Sequence, residues 1–337
     1  MSKLSVLNGG GIAIVSTPSM EYMARDAFAE LKKYIGKKSI DFHTLNFEGF
    51  SLGEFLVQIR KNVRHKAVYL FYDFNVDASH DLVGLAMTTS AMQDAGAKSV
   101  TIVAPYIPFL RQDRKDRSRV PISAKVSLQI MELSRIVGRT ITLDMHADQI
   151  QIGFQNPSDH LPGHVIFTPW IKERFGDQLD KVVIVGPDAG SEKRVMKIAS
   201  ILGCERSFLT KSRAGRGDVS MHEIHGAKVK GKICIINDDI IDTGGTIIKA
   251  AEALMARGAK QVIISATHAV FGKKDGVSAY KKLKAAGFEV VVTDSLLTKK
   301  KKWLTVLPLA RYMGHAILQN IIPNGSVSKV ITKGLPY

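Results

Sequence analysis

Segment 237–246 reads Asn-Asp-Asp-Ile-Ile-Asp-Thr-Gly-Gly-Thr and lies between an apolar run and a helical stretch. Three carboxylates buried together without donors are costly, so a loop at the end of a strand is expected to turn them toward solvent or ligand. Asp238 and Asp239 then accept hydrogen bonds from vicinal hydroxyls. Asp242, Thr243, Gly244, Gly245 and Thr246 are small or oxygen-bearing and open a helix, where backbone N–H groups receive phosphate oxygens. One segment therefore has groups for both ends of a sugar phosphate. Helix capping explains Asp, Thr and Gly here but not the paired acids.

Three other segments carry chemistry. Pro105-Tyr106 leads to Arg111, Gln112, Asp113, Arg114, Lys115, Asp116, Arg117, Ser118 and Arg119, then to Pro121-Ile122-Ser123-Ala124-Lys125. The planar arginine fork matches phosphate oxygens, and the interleaved acids leave acceptors for a base; a solvated basic loop has the same composition. Segment 144–151 reads Asp-Met-His-Ala-Asp-Gln-Ile-Gln, in which His146 with Asp144 or Asp148 is a metal site, an acid–base couple or a polar turn. Segment 209–218, Leu-Thr-Lys-Ser-Arg-Ala-Gly-Arg-Gly-Asp, is basic and Gly-containing, either a turn or a loop able to close on an anion.

The elements that position these residues repeat. An apolar run at 68–71 ends at Asp73, a helical stretch spans 81–93, Gly96 stops it, and a second apolar run follows at 100–103. Later, a run at 233–236 ends at Asp238, a helix spans 246–256, Gly258 stops it, and another run begins at 262. Glycine just past a periodic segment is the C-terminal signal of a helix. Nearly continuous apolar runs fit strands covered on both faces. Further strands are expected at 182–185, ahead of Gly186-Pro187-Asp188-Ala189-Gly190, and at 288–293. Two similar α/β units follow, with a boundary near 156–163, where Asn, Pro, Ser, Asp and Gly accumulate.

Length and composition set the frame. A chain of 337 residues has room for two domains and can bury full cores without metal or disulfide staples. Lys and Arg total 47 against 31 Asp and Glu, a formal charge of +16, which favours anionic partners. Cys204 and Cys234 are too few for a disulfide framework, and a cytoplasmic setting fits. No uninterrupted apolar stretch approaches the ~20 residues of a membrane span. Lysines 299–302 beside Trp303 read as a solvated turn, with a phosphate or partner contact as the alternative. No coherent basic face or stacking platform is visible, so nucleic acid is not an expected partner.

Segment 238–246 resembles the phosphoribosyl-binding signature of type I phosphoribosyltransferases. Together with the 111–125 string and Phe50-Ser51-Leu52-Gly53-Glu54, the chain is similar to the ribose-phosphate pyrophosphokinases over nearly its whole length. The resemblance implies an α/β protein of two similar phosphoribosyltransferase-type domains with mainly parallel central sheets and flanking helices. Residues 1–158 would carry the ATP loop and 159–337 the ribose 5-phosphate loop, with the terminal segment a candidate to pack back on the first domain. It implies transfer of a pyrophosphoryl group from ATP to the anomeric hydroxyl of ribose 5-phosphate, releasing AMP, for nucleotide biosynthesis.

By the same resemblance Arg111, Gln112 and Asp116 line the ATP site. Phe50 lies against adenine and Glu54 near its polar edge, both from a neighbouring subunit, so a homo-oligomer with a shared ATP site is implied. His146 would bind catalytic Mg²⁺, and Asp188 would bind metal or orient the ribose side. Imidazole is an unusual ligand for Mg²⁺, which prefers oxygen and keeps waters. Lys211 takes the place of a catalytic lysine and Arg213 that of the last arginine in the family's usual Lys-Arg-Arg string, with Ser212 in the middle. Other departures are Leu52 where a polar residue is common, Ser191 where the family has a second glycine, and Ile152-Gly153-Phe154 where it has Gly-Phe-Phe.

A nucleobase phosphoribosyltransferase would share segment 238–246 but leave the 111–125 string and the doubled layout unexplained. A catalytically silent regulatory subunit would not be expected to keep all of these residues.

Overall fold

The computed structural model describes residues 10–35, 39–75, 77–212 and 221–333. In the first stretch, strand β1 (Ile12–Ser16) leads to helix α1 (Glu21–Leu31), β2 (Ile40–Thr44), β3 (Asn46–Gly49), β4 (Phe55–Gln58) and β5 (Ala67–Phe71). Helix α2 (Ala78–Asp94), β6 (Ser99–Val103), α3 (Ser123–Met131), β7 (Val137–Leu143) and β8 (Ser158–Leu161) follow. Six strands form one sheet in the order β2-β1-β5-β6-β7-β8, parallel at every pairing. The other two, β3 and β4, pair antiparallel as a separate ribbon.

The next stretch comprises α4 (His164–Phe175), β9 (Val182–Gly186), α5 (Glu192–Leu202), β10 (Glu205–Ser212), β11 (Met221–Gly226) and β12 (Ile233–Ile241). It continues with α6 (Gly245–Ala256), β13 (Gln261–Ala269), β14 (Lys273–Lys274), β15 (Val277–Ser278), α7 (Ala279–Ala286), β16 (Glu289–Thr293) and β17 (Leu304–Leu307). Seven of these strands form a sheet in the order β11-β10-β9-β12-β13-β16-β17. Only the β10–β11 pair in it is antiparallel. Two terminal helices, α8 (Ala310–Ile321) and α9 (Val327–Lys333), complete the described chain.

The chain divides into two compact units: residues up to Pro162 together with those from Pro308 onward, and Gly163–Leu307. The division falls at Pro162, within the 156–163 stretch where the turn-forming residues accumulate and a little beyond the 158 that the resemblance implied, and the terminal segment counts with the first unit. Helix α8 packs on α1, where the ring of buried His315 approaches Glu30 at 3.3 Å. The Tyr312 hydroxyl donates to the carbonyl of Pro162 at 3.3 Å.

The strands are as apolar as covered parallel strands must be: every residue of β1 and of β9 is buried. Two expected boundaries move, each for a local reason. Helix α2 starts before Asp81 because the Asp77 carboxylate accepts from the N–H groups of Ser79 and His80 at 2.9 and 3.0 Å, which closes the first turn. Strand β12 does not end at Asp238. It runs on to Ile241, paired with β13 as far as Ala269, so Asp238 and Asp239 stand on a strand rather than in a loop. Among the described residues no helix is long and apolar enough to cross a membrane.

Tyr312 is fully buried in the first unit. Tyr312→Ala is expected to destabilise the protein by about 3–5 kcal/mol, as large aromatic deletions in cores do, with equilibrium urea unfolding of the full chain as the measurement.

Candidate active site

In the second sheet the chain passes from β9 outward to β10 and then crosses to β12 on the other side of β9. Open α/β sheets hold ligands at such a reversal, outside the carboxyl ends of the strands. Asp188 follows β9, and its side chain accepts from the N–H of Ser191 at 3.2 Å. The Ser191 hydroxyl donates to the Asp188 carbonyl at 2.6 Å. The serine that departs from the family pattern thus fixes the turn carrying Asp188. Gly186 has no room for a side chain there, since a Cβ would lie 2.4 Å from Ser191 Oγ.

Asp238 and Asp239 project near the carboxyl end of β12. The Asp239 N–H donates to Asp238 Oδ1 at 2.9 Å, and Arg194 on α5 places Nη1 3.7 Å from the same oxygen. Burial pushes the Asp238 carboxyl well above the usual carboxylate range, and the adjoining Asp239 charge and hydrogen bond push it further. Arg194 opposes this shift. Asp239 is buried and Asp238 half-buried.

The chain then turns into α6. Gly244 sits at the N-cap with φ +76°, a left-handed conformation that favours glycine. Gly272 is equally constrained, because a Cβ there would lie 2.3 Å from Asp242 Oδ1. Gly245 and Thr246 are exposed at the first turn of α6, and Asp242 and Thr243 are half-buried. A helix start free of bulky side chains, reached through a glycine, is a place for a phosphate. Lys211 lies on β10 opposite His222 in the β10–β11 pairing, while Arg213 lies outside the described residues.

The remaining candidates belong to the first unit. Between β6 and α3 runs the basic loop, with Arg111 and Asp116 exposed. Gln112 is anchored: its side-chain oxygen accepts from the Ser123 hydroxyl at 2.5 Å and its carbonyl from the Ala124 N–H at 3.1 Å. Gln149 Nε2 donates to Asp113 at 3.2 Å, tying this loop to segment 148–153. Phe50 and Glu54 flank the tip of the β3–β4 ribbon, where the Phe50 N–H donates to the Glu54 carbonyl at 2.7 Å. Phe50 is 55% exposed and Leu52 is fully exposed at φ +60°.

His146 is exposed in the turn after β7. That turn is braced by His160, whose Nε2 accepts from the Met145 N–H at 2.9 Å and whose Nδ1 is 3.7 Å from Asp148. His160 and Arg194 went unnoticed in the sequence because neither sits in a motif; only the fold brings them to the loops they support. Among the described residues no three His, Cys, Asp or Glu side chains gather as a metal cage. Mg²⁺ at a phosphate-transfer site takes one or two protein ligands, substrate oxygens and waters. Asp188 in the second unit and His146 in the first each present an exposed side chain of a type that such a demand accepts.

The first sheet has the same reversal, between β1 and β5. Asp73 follows β5 there and is buried, and its Oδ1 accepts from the hydroxyls of Thr17 and Ser19, both at 2.7 Å. Its other oxygen is buried and has no hydrogen-bond partner among the described residues. The first unit thus closes with its own hydroxyls the place at which the second presents its acids.

Two mainly parallel sheets flanked by helices, each with its reversal at the carboxyl ends of the strands, define a tandem phosphoribosyltransferase-type protein. Residues 12–134 match the N-terminal domain of ribose phosphate pyrophosphokinase and residues 164–298 the phosphoribosyl transferase domain. Ribose-phosphate pyrophosphokinase of Vibrio parahaemolyticus is 38% identical over 308 residues, covering 89% of this chain and 95% of that protein. The enzyme of Aquifex aeolicus is 33% identical over 324 residues, 96% of this chain and 99% of the other. The crystal structure of phosphoribosylpyrophosphate synthetase from Mycobacterium smegmatis superposes with a TM-score of 0.80 at 30% identity, covering 92% of this chain and 99% of that one. The chain belongs to the ribose-phosphate pyrophosphokinase family.

Burial raises the Asp73 carboxyl above its ordinary range. Its charged form therefore opposes folding, and the loss grows as pH rises from about 4, the unfolded value, through the folded one. Asp73→Asn is expected to gain stability relative to the parent over that rise and to hold it at neutral pH, as measured by urea unfolding across a pH series.

Proposed function

We propose that the protein transfers the β,γ-pyrophosphoryl group of ATP to the anomeric hydroxyl of ribose 5-phosphate, forming 5-phosphoribosyl 1-pyrophosphate and AMP. The observation that carries this reading is the paired acids of β12 followed directly by the glycine-led start of α6. Asp238 and Asp239 accept from the vicinal ribose hydroxyls. The N–H groups and hydroxyls from Asp242 through Thr243, Gly244 and Gly245 to Thr246 receive the 5-phosphate.

ATP is assigned to Arg111, Gln112 and Asp116. Phe50 and Glu54 of a neighbouring copy complete its adenine contacts, in keeping with a ribbon tip that stands outside the central sheet. The complete site therefore belongs to a homo-oligomer. His146 and Asp188 would hold Mg²⁺, which would supply charge neutralisation for the phosphates.

The anomeric oxygen attacks the β-phosphorus in line and the bond from that phosphorus to the α–β bridging oxygen breaks. AMP departs with the electron pair, and the hydroxyl proton is lost. Lys211 and Arg213 stabilise the charge spread over the transferred group and the leaving oxygen, so the protein's work is positioning and electrostatics. We assign this reaction to the cytoplasm. Cys204 and Cys234 are unpaired, and burial pushes the Cys234 thiol up to about 12, leaving it inert.

The test is to mix protein, ATP, Mg²⁺ and ribose 5-phosphate and resolve the products. Equal amounts of AMP and 5-phosphoribosyl 1-pyrophosphate, dependent on the sugar, are expected. ADP as product, or none across divalent ions and added phosphate, refutes the proposal.

Lys211→Ala is expected to lower turnover about a hundredfold, equivalent to ~3 kcal/mol of transition-state stabilisation. Circular dichroism should be unchanged, and near-normal turnover removes Lys211 from the machinery.

A further inference from the structure

Nine lysines fall within residues 273–302, and the proposed reaction uses none of them. Lys273 and Lys274 form β14, and both are exposed. Lys281, Lys282 and Lys284 lie on α7, Lys282 half-buried and the others exposed. Lysines 299–302 are all exposed in the segment that leads into β17, the edge strand of the sheet.

Aromatic packing brings these separate stretches together. Tyr280, next to Lys281, packs edge-on against Trp303, next to Lys302, with ring centroids 4.9 Å apart. Tyr280 also meets Phe271 at 5.9 Å, and Lys282 Nζ reaches the carbonyl of Lys274 at 3.5 Å. The acids of the same stretch do not offset the charge. Glu289 is held by Arg174 at 2.8 Å, Asp294 is buried, and Asp275 alone is exposed. These contacts thus bring the lysine-bearing segments beside one another.

We propose that this lysine face of the second unit binds the phosphodiester backbone of nucleic acid without sequence preference. A single sugar phosphate carries too little charge to match nine lysines, whereas a chain of phosphates matches them. Lysine makes point contacts with phosphate and lacks the bidentate fork that reads guanine edges, so the contacts position without specifying. An anionic membrane is a poorer fit. Surface helices that bind membranes insert an apolar face, but Ala279 and Leu283 of α7 are spent in the core and Trp303 is half-buried in its ring cluster.

The test uses the full chain and labelled duplex and single-stranded oligonucleotides of random sequence, with binding followed by fluorescence anisotropy over a salt series. Binding is expected to weaken steeply with salt, the logarithmic slope gaining about 0.7–0.9 per phosphate neutralised. Lys299→Gln/Lys300→Gln/Lys301→Gln and, separately, Lys281→Gln/Lys284→Gln should each lower affinity and flatten that slope while turnover with ATP and ribose 5-phosphate stays unchanged. The proposal is overturned by absence of binding at low salt, by variants that bind like the parent, or by equal affinity for polyglutamate or anionic phosphatidylserine vesicles. It is likewise overturned if the variants raise the KM for ribose 5-phosphate and leave oligonucleotide binding untouched, which would make the face a funnel for substrate.

Discussion

The hardest constraint on this protein is the concentration of negative charge at the end of β12. Asp238 and Asp239 are adjacent in sequence, partly withdrawn from water, and close to Asp188 across the sheet reversal. Isolated carboxylates in such a place would protonate or unfold the strand. Several surrounding features answer that charge. Arg194 approaches from α5, an N–H of the same strand turns back to Asp238 Oδ1, and α6 begins a few residues on with its positive end toward the loop. The parallel arrangement follows, because only strands that run the same way place the β9 turn, the β12 acids and the α6 start at one edge.

Comparison of the two units shows how much of a site depends on a few side chains. Both sheets reverse at the same point, between β1 and β5 in one and between β9 and β12 in the other. In the first, Thr17 and Ser19 satisfy one oxygen of a single buried carboxylate, Asp73. In the second, a pair of acids is offset by a side chain from a helix, and the following loop is kept small by Gly244 and Gly272. One scaffold thus carries a crevice filled by a buried, half-satisfied carboxylate in one unit and an open one in the other. The first unit's candidate residues lie instead on the 111–116 loop, the ribbon tip and the turn at His146.

The sequence made the alternation of strand and helix legible because the buried parallel strands are apolar almost throughout and the helices end at glycine. Gly96 and Gly258 both adopt positive φ where a stop was read. The phosphate loop was legible for a related reason: its small residues have no packing role that would explain them as a group. What escaped depends on contacts distant in sequence. The extension of β12 through its acids is imposed by pairing with β13, which outweighs the poor strand propensity of Asp. His160 and Arg194 act across the fold, and the return of α8 to α1 joins residues nearly 300 positions apart, as Glu30 and His315 show. The lysine face escaped for a more local reason, since it takes the packing of Tyr280 on Trp303 to bring the lysine-bearing segments beside each other.

The proposed sites differ in how far each is built in advance. The proposed sugar-phosphate site is held by a strand, a helix start, the left-handed Gly244 and the tightly packed Gly186 and Gly272, so little entropy remains to be lost there on binding. The nucleotide site draws on groups that are exposed before ligand arrives: Phe50 on a ribbon tip, Arg111 and Asp116 on a loop, His146 on a turn. In the proposed reaction their ordering would come from ATP, from a neighbouring copy, or from both. That asymmetry suits a reaction in which an activated phosphate must not be lost to water. In the proposed reaction a donor site completed only on assembly and binding would leave the nucleotide's phosphates unpositioned for transfer until its own groups are ordered.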